Sequence, residues 1–143
     1  MILLTPEIRA QLCANANAQA VAQADGRRSP DPAPALKLFN PVGAATWLFT
    51  ELDADSLLFG LCDLSFGTPE LGYASLAEIE AIRLPWGLSI ERDLCFSARF
   101  PLSIYTEAAR IAGRIIEDES LLATLARARE LLAGPAIPPA SDG

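Results

Sequence analysis

Apolar residues recur at helical spacing near both ends of the chain and as short, dense runs through its middle. Thr5-Pro6-Glu7 has the form of a helix start, with Thr at the N-cap, Pro at the first turn and Glu near the positive end of the helix dipole. Ile8, Leu12 and Ala16 form its apolar stripe, and Asp25-Gly26 ends it. Pro30, Pro32 and Pro34 impose an extended linker. Residues 36–39 read as a short strand, 40–43 as a turn and 45–52 as a second strand. In that strand Trp47, Phe49 and Glu51 share one face, and Thr46, Leu48 and Thr50 the other. A hairpin loop at 53–56 leads to a third strand, 57–64. Its unbroken apolar run predicts that both faces are covered, and Gly60 within it predicts a bulge or close packing.

Residues 72–74 read as a short strand. Ser75-Leu76-Ala77-Glu78 is a capping box that opens a helix running to Arg83. Pro85 stops that helix, and residues 90–97 follow as an edge strand. In the tail, Ile104, Ala108, Ile111 and Ile115 keep one register that Leu122, Leu125 and Leu132 continue. Burying Asp118 in that seam is costly, so two helices hinged at 117–120 are expected to fold back on the sheet. The predicted class is α+β: a small three- to four-stranded, mainly antiparallel sheet with packed helices and a C-terminal helical hairpin. The expected organisation is a core at 1–100, a helical extension at 101–134 packed on it, and a disordered tail at 135–143.

The composition removes several chemistries. With 143 residues, half of them hydrophobic, the chain is long enough for one core without metals or disulfides. No apolar run approaches the ~20 residues that span a bilayer, and the N-terminus lacks a basic n-region and a long apolar stretch. A cytoplasmic protein with no membrane contact is expected. The chain has no histidine, which removes Ser-His-Asp and Cys-His machinery and any imidazole ligand. A net charge of −7 and the lone Lys37 argue against direct nucleic-acid binding. No phosphate-cradling glycine motif occurs, and no cofactor is expected. Cys13, Cys62 and Cys95 are too dispersed for a zinc site or a disulfide framework. Cys62 and Cys95 sit in apolar runs, as buried structural thiols do.

Short motifs spread along the chain carry a resemblance. They are the opening Leu3-Leu4-Thr5-x-Glu7-Ile8-Arg9; Lys37, Phe39 and Pro41; Thr46-Trp47 and Thr50-Glu51; Phe59-Gly60-Leu61; Glu70-Leu71-Gly72-Tyr73; Ser75-Leu76; and Ile90-Glu91-Arg92-Asp93. Over residues 1–105 the chain resembles the domain of unknown function 2958 family. The resemblance implies a small bacterial protein often carried on plasmids and other mobile elements, with no established activity. The tail after Pro101 reads as an addition to that pattern.

Candidate sites follow from residue chemistry. Trp86, in a loop between Pro85 and Gly87, is a candidate contact residue, since aromatics anchor interfaces. In Glu91-Arg92-Asp93 the outer carboxylates share one strand face. Arg92 is expected either to clamp a partner's carboxylate or phosphate, or to pair with Glu70, Glu78 or Glu80. Glu51, Asp55, Asp63 and Glu70 are the alternative candidates, as oxygen ligands for a hard divalent cation.

Three functions are compatible with these features. The first is a non-enzymatic accessory module of a mobile element, a monomer in preference to a homodimer, that binds another protein. The alternatives are a carboxylate-based, metal-dependent hydrolase and an acidic inhibitor that mimics nucleic acid.

Overall fold

A computed structural model describes residues 2–133; the tail expected at 135–143 lies outside them. Thr5 caps the first helix as its sequence position requires, its hydroxyl oxygen accepting the Ile8 N–H at 3.1 Å. The helix α1 runs over Pro6–Ala24. After the proline linker come β1 (Leu36–Phe39), β2 (Thr46–Leu52), β3 (Leu57–Asp63) and β4 (Glu70–Ser75). Ser75 caps α2 (Leu76–Ala81), its hydroxyl oxygen accepting the Glu78 N–H. A two-residue β5 (Glu91–Arg92) precedes α3 (Leu102–Ala112) and α4 (Glu119–Ala133).

The strands form one sheet in the order β4-β3-β2-β1-β5, every neighbour antiparallel. The predicted class holds, with five strands among the described residues in place of three or four. The difference lies at the two edges. β4 extends to six residues, while the strand expected over 90–97 keeps only Glu91 and Arg92. The Asp93 carboxylate accepts the Cys95 N–H at 2.9 Å, a turn that ends pairing.

Each sheet face has its own apolar layer. On one, Leu38, Trp47, Phe49, Leu52 and Leu58 pack with Leu12 of α1 and with Leu76 and Ile79 of α2. On the other, Leu48 and Leu61 pack with Ile104, Tyr105, Ala108 and Ala109 of α3 and Leu122 of α4. The tail therefore covers the second face, as the apolar register predicts. Ile111 leaves that register and is exposed. The helices part at the expected place. Gly113 takes the left-handed conformation at the end of α3, and the Asp118 side chain accepts the Ser120 and Leu121 N–H groups as α4 begins.

Gly60 marks the tightest approach in the sheet. A Cβ there would lie 2.0 Å from the Leu48 carbonyl oxygen and 2.7 Å from the Phe49 Cα. The register of β2 against β3 shifts between Phe49 and Glu51, so the bulge belongs to the facing strand and Gly60 gives it room. The shift also breaks the expected alternation, burying Leu52 on the face of Phe49. The bulged Thr50 carbonyl is satisfied by the Asn15 side chain at 2.9 Å, which fastens the alanine-rich α1 to the sheet.

Candidate interaction site

The sheet's β5 edge gathers Glu91, Arg92 and Asp93, three of the four interaction candidates. Phe39 stands opposite Glu91, and Leu38 opposite Arg92. The Asp93 N–H donates to the Lys37 carbonyl at 3.0 Å, which extends the register one step. Lys37, Phe39, Glu91, Arg92, Asp93 and Leu94 line an open groove of about 420 Å³. Five of these, all but Leu94, also belong to the short motifs of the chain's first and last strands.

Charge within the groove is largely committed. The Lys37 ammonium lies 3.2 Å from Asp93 Oδ2 and 2.5 Å from Glu117 Oε2, joining β1, the turn after β5 and the segment before α4. Burial works to lower the Lys37 pKa, but Glu117 and then Asp93 outweigh it and hold the group above the ordinary 10.5. Arg92 points to the other side of the sheet edge. Its Nη1 donates to the carbonyl oxygens of Ile2 and Leu3, both at 2.9 Å. The expected pairing with Glu70 is ruled out by topology, because Glu70 lies on β4 at the opposite edge. Arg92 thus holds the N-terminal segment against β5, and Leu3 and Leu4 enter the first apolar layer beside Ile90.

Trp86 is the outstanding surface residue of the loop that leads into β5. It is 85% exposed. Its backbone lies at φ 62°, ψ 25°, the left-handed region, and Gly87 follows at φ 74°. The loop is closed beneath it, with the Leu84 N–H on the Leu88 carbonyl and the Leu88 N–H on the Pro85 carbonyl. An indole with no burial to reward it is thus held in a backbone conformation that costs a side-chain-bearing residue about 1–2 kcal/mol. Trp47, by contrast, is core.

The four candidate metal ligands are not brought together. Glu51 sits beside the 53–56 turn, where Leu52 pairs with Leu58, and Asp55 is exposed in that turn. Asp63 is at the far end of the same hairpin, opposite Thr46, and Glu70 is exposed on β4. Among the described residues no group of three or more Cys, Asp or Glu side chains could hold a metal ion. Asp63 has structural work instead. Buried, it accepts the Ser65 N–H through Oδ1 and the Ile115 N–H through Oδ2, both at 2.9 Å, and so pins the end of α3 to β3.

The thiols also depart from expectation. Cys13 and Cys95 are exposed and Cys62 is half-buried. The turn at Asp93 lifts Cys95 out of the strand that would have covered it. Burial pushes the Cys62 thiol up, away from thiolate reactivity.

Two features of these surfaces lay outside the sequence reading. The Lys37 ion pairs join residues 80 positions apart, and the only sequence signal was that Lys37 is the sole lysine. Exposed Leu71 and Tyr73 alternate along β4, a pattern visible in the sequence but without meaning until β4 is known to be an edge.

No described helix is long and apolar enough to cross a membrane. A family model with the description "Protein of unknown function (DUF2958)" matches residues 3–116, which takes in all of α3. No curated protein and no solved structure matches the chain.

Proposed function

The chain belongs to the DUF2958 family of proteins of unknown function, and from that premise we propose that it is a non-enzymatic accessory module acting by binding another protein. The mobile-element setting is what the family resemblance implies. Trp86 is the anchor of the contact, and the neighbouring β5 edge with Glu91, Asp93 and Leu94 is its polar and apolar surround. One observation carries this reading: an almost fully exposed tryptophan held at positive φ. Strain of that kind is retained where function requires the side chain's position, and large aromatics dominate interface energetics.

The test uses Trp86→Asn, because asparagine tolerates the left-handed region without the indole. The variant should match or exceed the wild type in thermal stability, by up to about 1 kcal/mol. In pulldowns from the bacterial host, a protein captured by the wild type should be lost. An unchanged set of captured proteins, or a variant that unfolds, removes Trp86 from this role. Turnover of a substrate by the purified chain would end the non-enzymatic reading itself.

A further inference from the structure

The five-stranded sheet is open, and its two edges are finished differently. At β5 pairing stops after two residues, Asp93 turns the chain away, and Arg92 is engaged with the main chain of the N-terminal segment. β4 has none of these devices. It pairs with β3 in unbroken register from Leu57 opposite Ser75 to Cys62 opposite Glu70. It contains no proline and no lysine. Edges of that kind are usually blunted, because their unpaired main-chain groups are a template for another strand.

The direction of those groups follows from the ladder. The Leu76 N–H donates to the Ser56 carbonyl. Alternation from that pair turns residues 74, 72 and 70 toward β3, and turns the N–H and C=O of Leu71 and Tyr73 outward. Their side chains share one sheet face and are exposed, Tyr73 to 68%. The Tyr73 ring lies 5.0 Å from that of Phe59 across the strand pair. Gly72 stands between them with no side chain, and a Cβ there would meet nothing within 4 Å.

We infer that β4 is a self-pairing edge, which joins a second copy of this chain by antiparallel β4–β4 contact about a two-fold axis at Gly72. The occupant follows from register. The outward-facing residues are two apart, so an axis at Gly72 sets Leu71 opposite Tyr73 of the second copy, twice. All outward groups of both residues are then used, in four hydrogen bonds between copies. The same axis gathers two leucines, two tyrosines and the flanking Phe59 rings on one face.

Charge does not oppose the pairing. Glu70 is the single charged residue of β4 and would face Ala74 of the second copy. The two Glu70 residues would stand four positions apart, about 13 Å at strand spacing, beyond the screening length of about 8 Å at physiological salt. The apolar side chains that the axis brings together, Leu71 and Tyr73 of each copy, are both exposed in the single chain.

The test places a cysteine on the axis. In the full chain with Cys13, Cys62 and Cys95 changed to Ser, Gly72→Cys puts two thiols at a non-hydrogen-bonded antiparallel pair. The Cα separation there is about 4.5 Å, within the disulfide range of about 4.4–6.8 Å. Mild oxidation should give a covalent dimer, while Glu78→Cys on α2 in the same background should not. Sedimentation equilibrium of the unmodified chain should show twice the monomer mass at high concentration. Tyr73→Lys should shift it to monomer with an unchanged circular dichroism spectrum. A chain monomeric at every concentration overturns the inference. So does a dimer that neither cross-links through position 72 nor responds to Tyr73→Lys, since it must use another face. If Tyr73→Lys fails to fold, the cross-link at position 72 still decides.

Discussion

At the scale of single residues, Gly60 and Gly72, which pair across neighbouring strands, differ sharply in what a side chain would meet. Gly60 faces the Leu48 carbonyl at a distance no Cβ tolerates, and the contact is backbone, which cannot move aside cheaply. Gly60→Ala should cost about 3 kcal/mol or more, the upper end of overpacking penalties. Gly72→Ala meets open space and should be neutral, or stabilising by up to about 1 kcal/mol through the unfolded chain. Denaturant titration of both variants checks the pair; equal losses would mean that the bulge opposite Gly60 is not the reason for the glycine. Glu51 gives a second test. Burial, and then the charge of Asp53, raises its carboxyl above the ordinary 4.5. A raised folded-state value means that the favourable protonated form is present below about 4.5 and lost as pH rises through the folded value. Ionised Glu51 is therefore unfavourable at neutral pH. Glu51→Gln should raise the melting temperature at pH 7, with the gain vanishing as pH falls below about 4.5. A metal ligand would behave otherwise, since its loss would remove stabilisation by added magnesium, calcium or manganese.

At the scale of elements, the Lys37 ion pairs decide how the sheet edge meets the tail helices. Lys37 belongs to β1, Asp93 to the turn after β5 and Glu117 to the link before α4, and Lys37 is largely shielded from solvent. Because its folded pKa is raised, its stabilisation is complete below the unfolded lysine value of about 10.4 and is lost as pH rises through the higher folded value. Lys37→Met should cost on the order of 1 kcal/mol at pH 7, the upper end for partly exposed ion pairs. The gap between wild type and variant should stay level to about pH 10 and close above it. A gap that closes near neutrality would assign the effect to another group. The strand expected over 90–97 belongs to this scale too. Its residues alternate adequately for a strand, but the Asp93 side chain competes for the main chain and ends the pairing after Arg92.

At the scale of the whole molecule, the sheet is enclosed by helices from both ends of the chain. α3 and α4 cover Leu48 and Leu61, which have no residual exposure, and the Asp63 carboxylate holds the link between them. Truncation after Phe100 should therefore uncover a full sheet face, at about 1.5–3 kcal/mol per buried side chain, and give insoluble protein. Solubility and circular dichroism of the truncated chain check this. A soluble, folded product would make the helices an appendage. The family match through residue 116 bears on the same question, because α3 falls inside it while all of α4 lies beyond. The tail therefore continues the family's pattern further than the motifs up to residue 105 indicate.

Local chemistry was legible in the sequence wherever a few neighbouring residues decide the outcome. Thr5 and Ser75 as caps, Pro6 at a helix start, the break between the tail helices at 117–120, the hairpin of β2 and β3 and the antiparallel α+β class all rest on interactions within four residues or on helix and strand periodicity. The metal alternative failed because Glu51 and Asp63 are close in sequence but at opposite ends of a hairpin, a separation set by pairing direction. Arg92 was assigned carboxylate partners, and it took carbonyls of the N-terminal segment because strand order places Glu70 at the other edge. Exposure of Cys95 and Tyr73 likewise depended on where a turn falls and which strand lies outermost. Alternation along a strand tells which residues share a face. Which faces and edges remain uncovered is decided only when distant segments have packed.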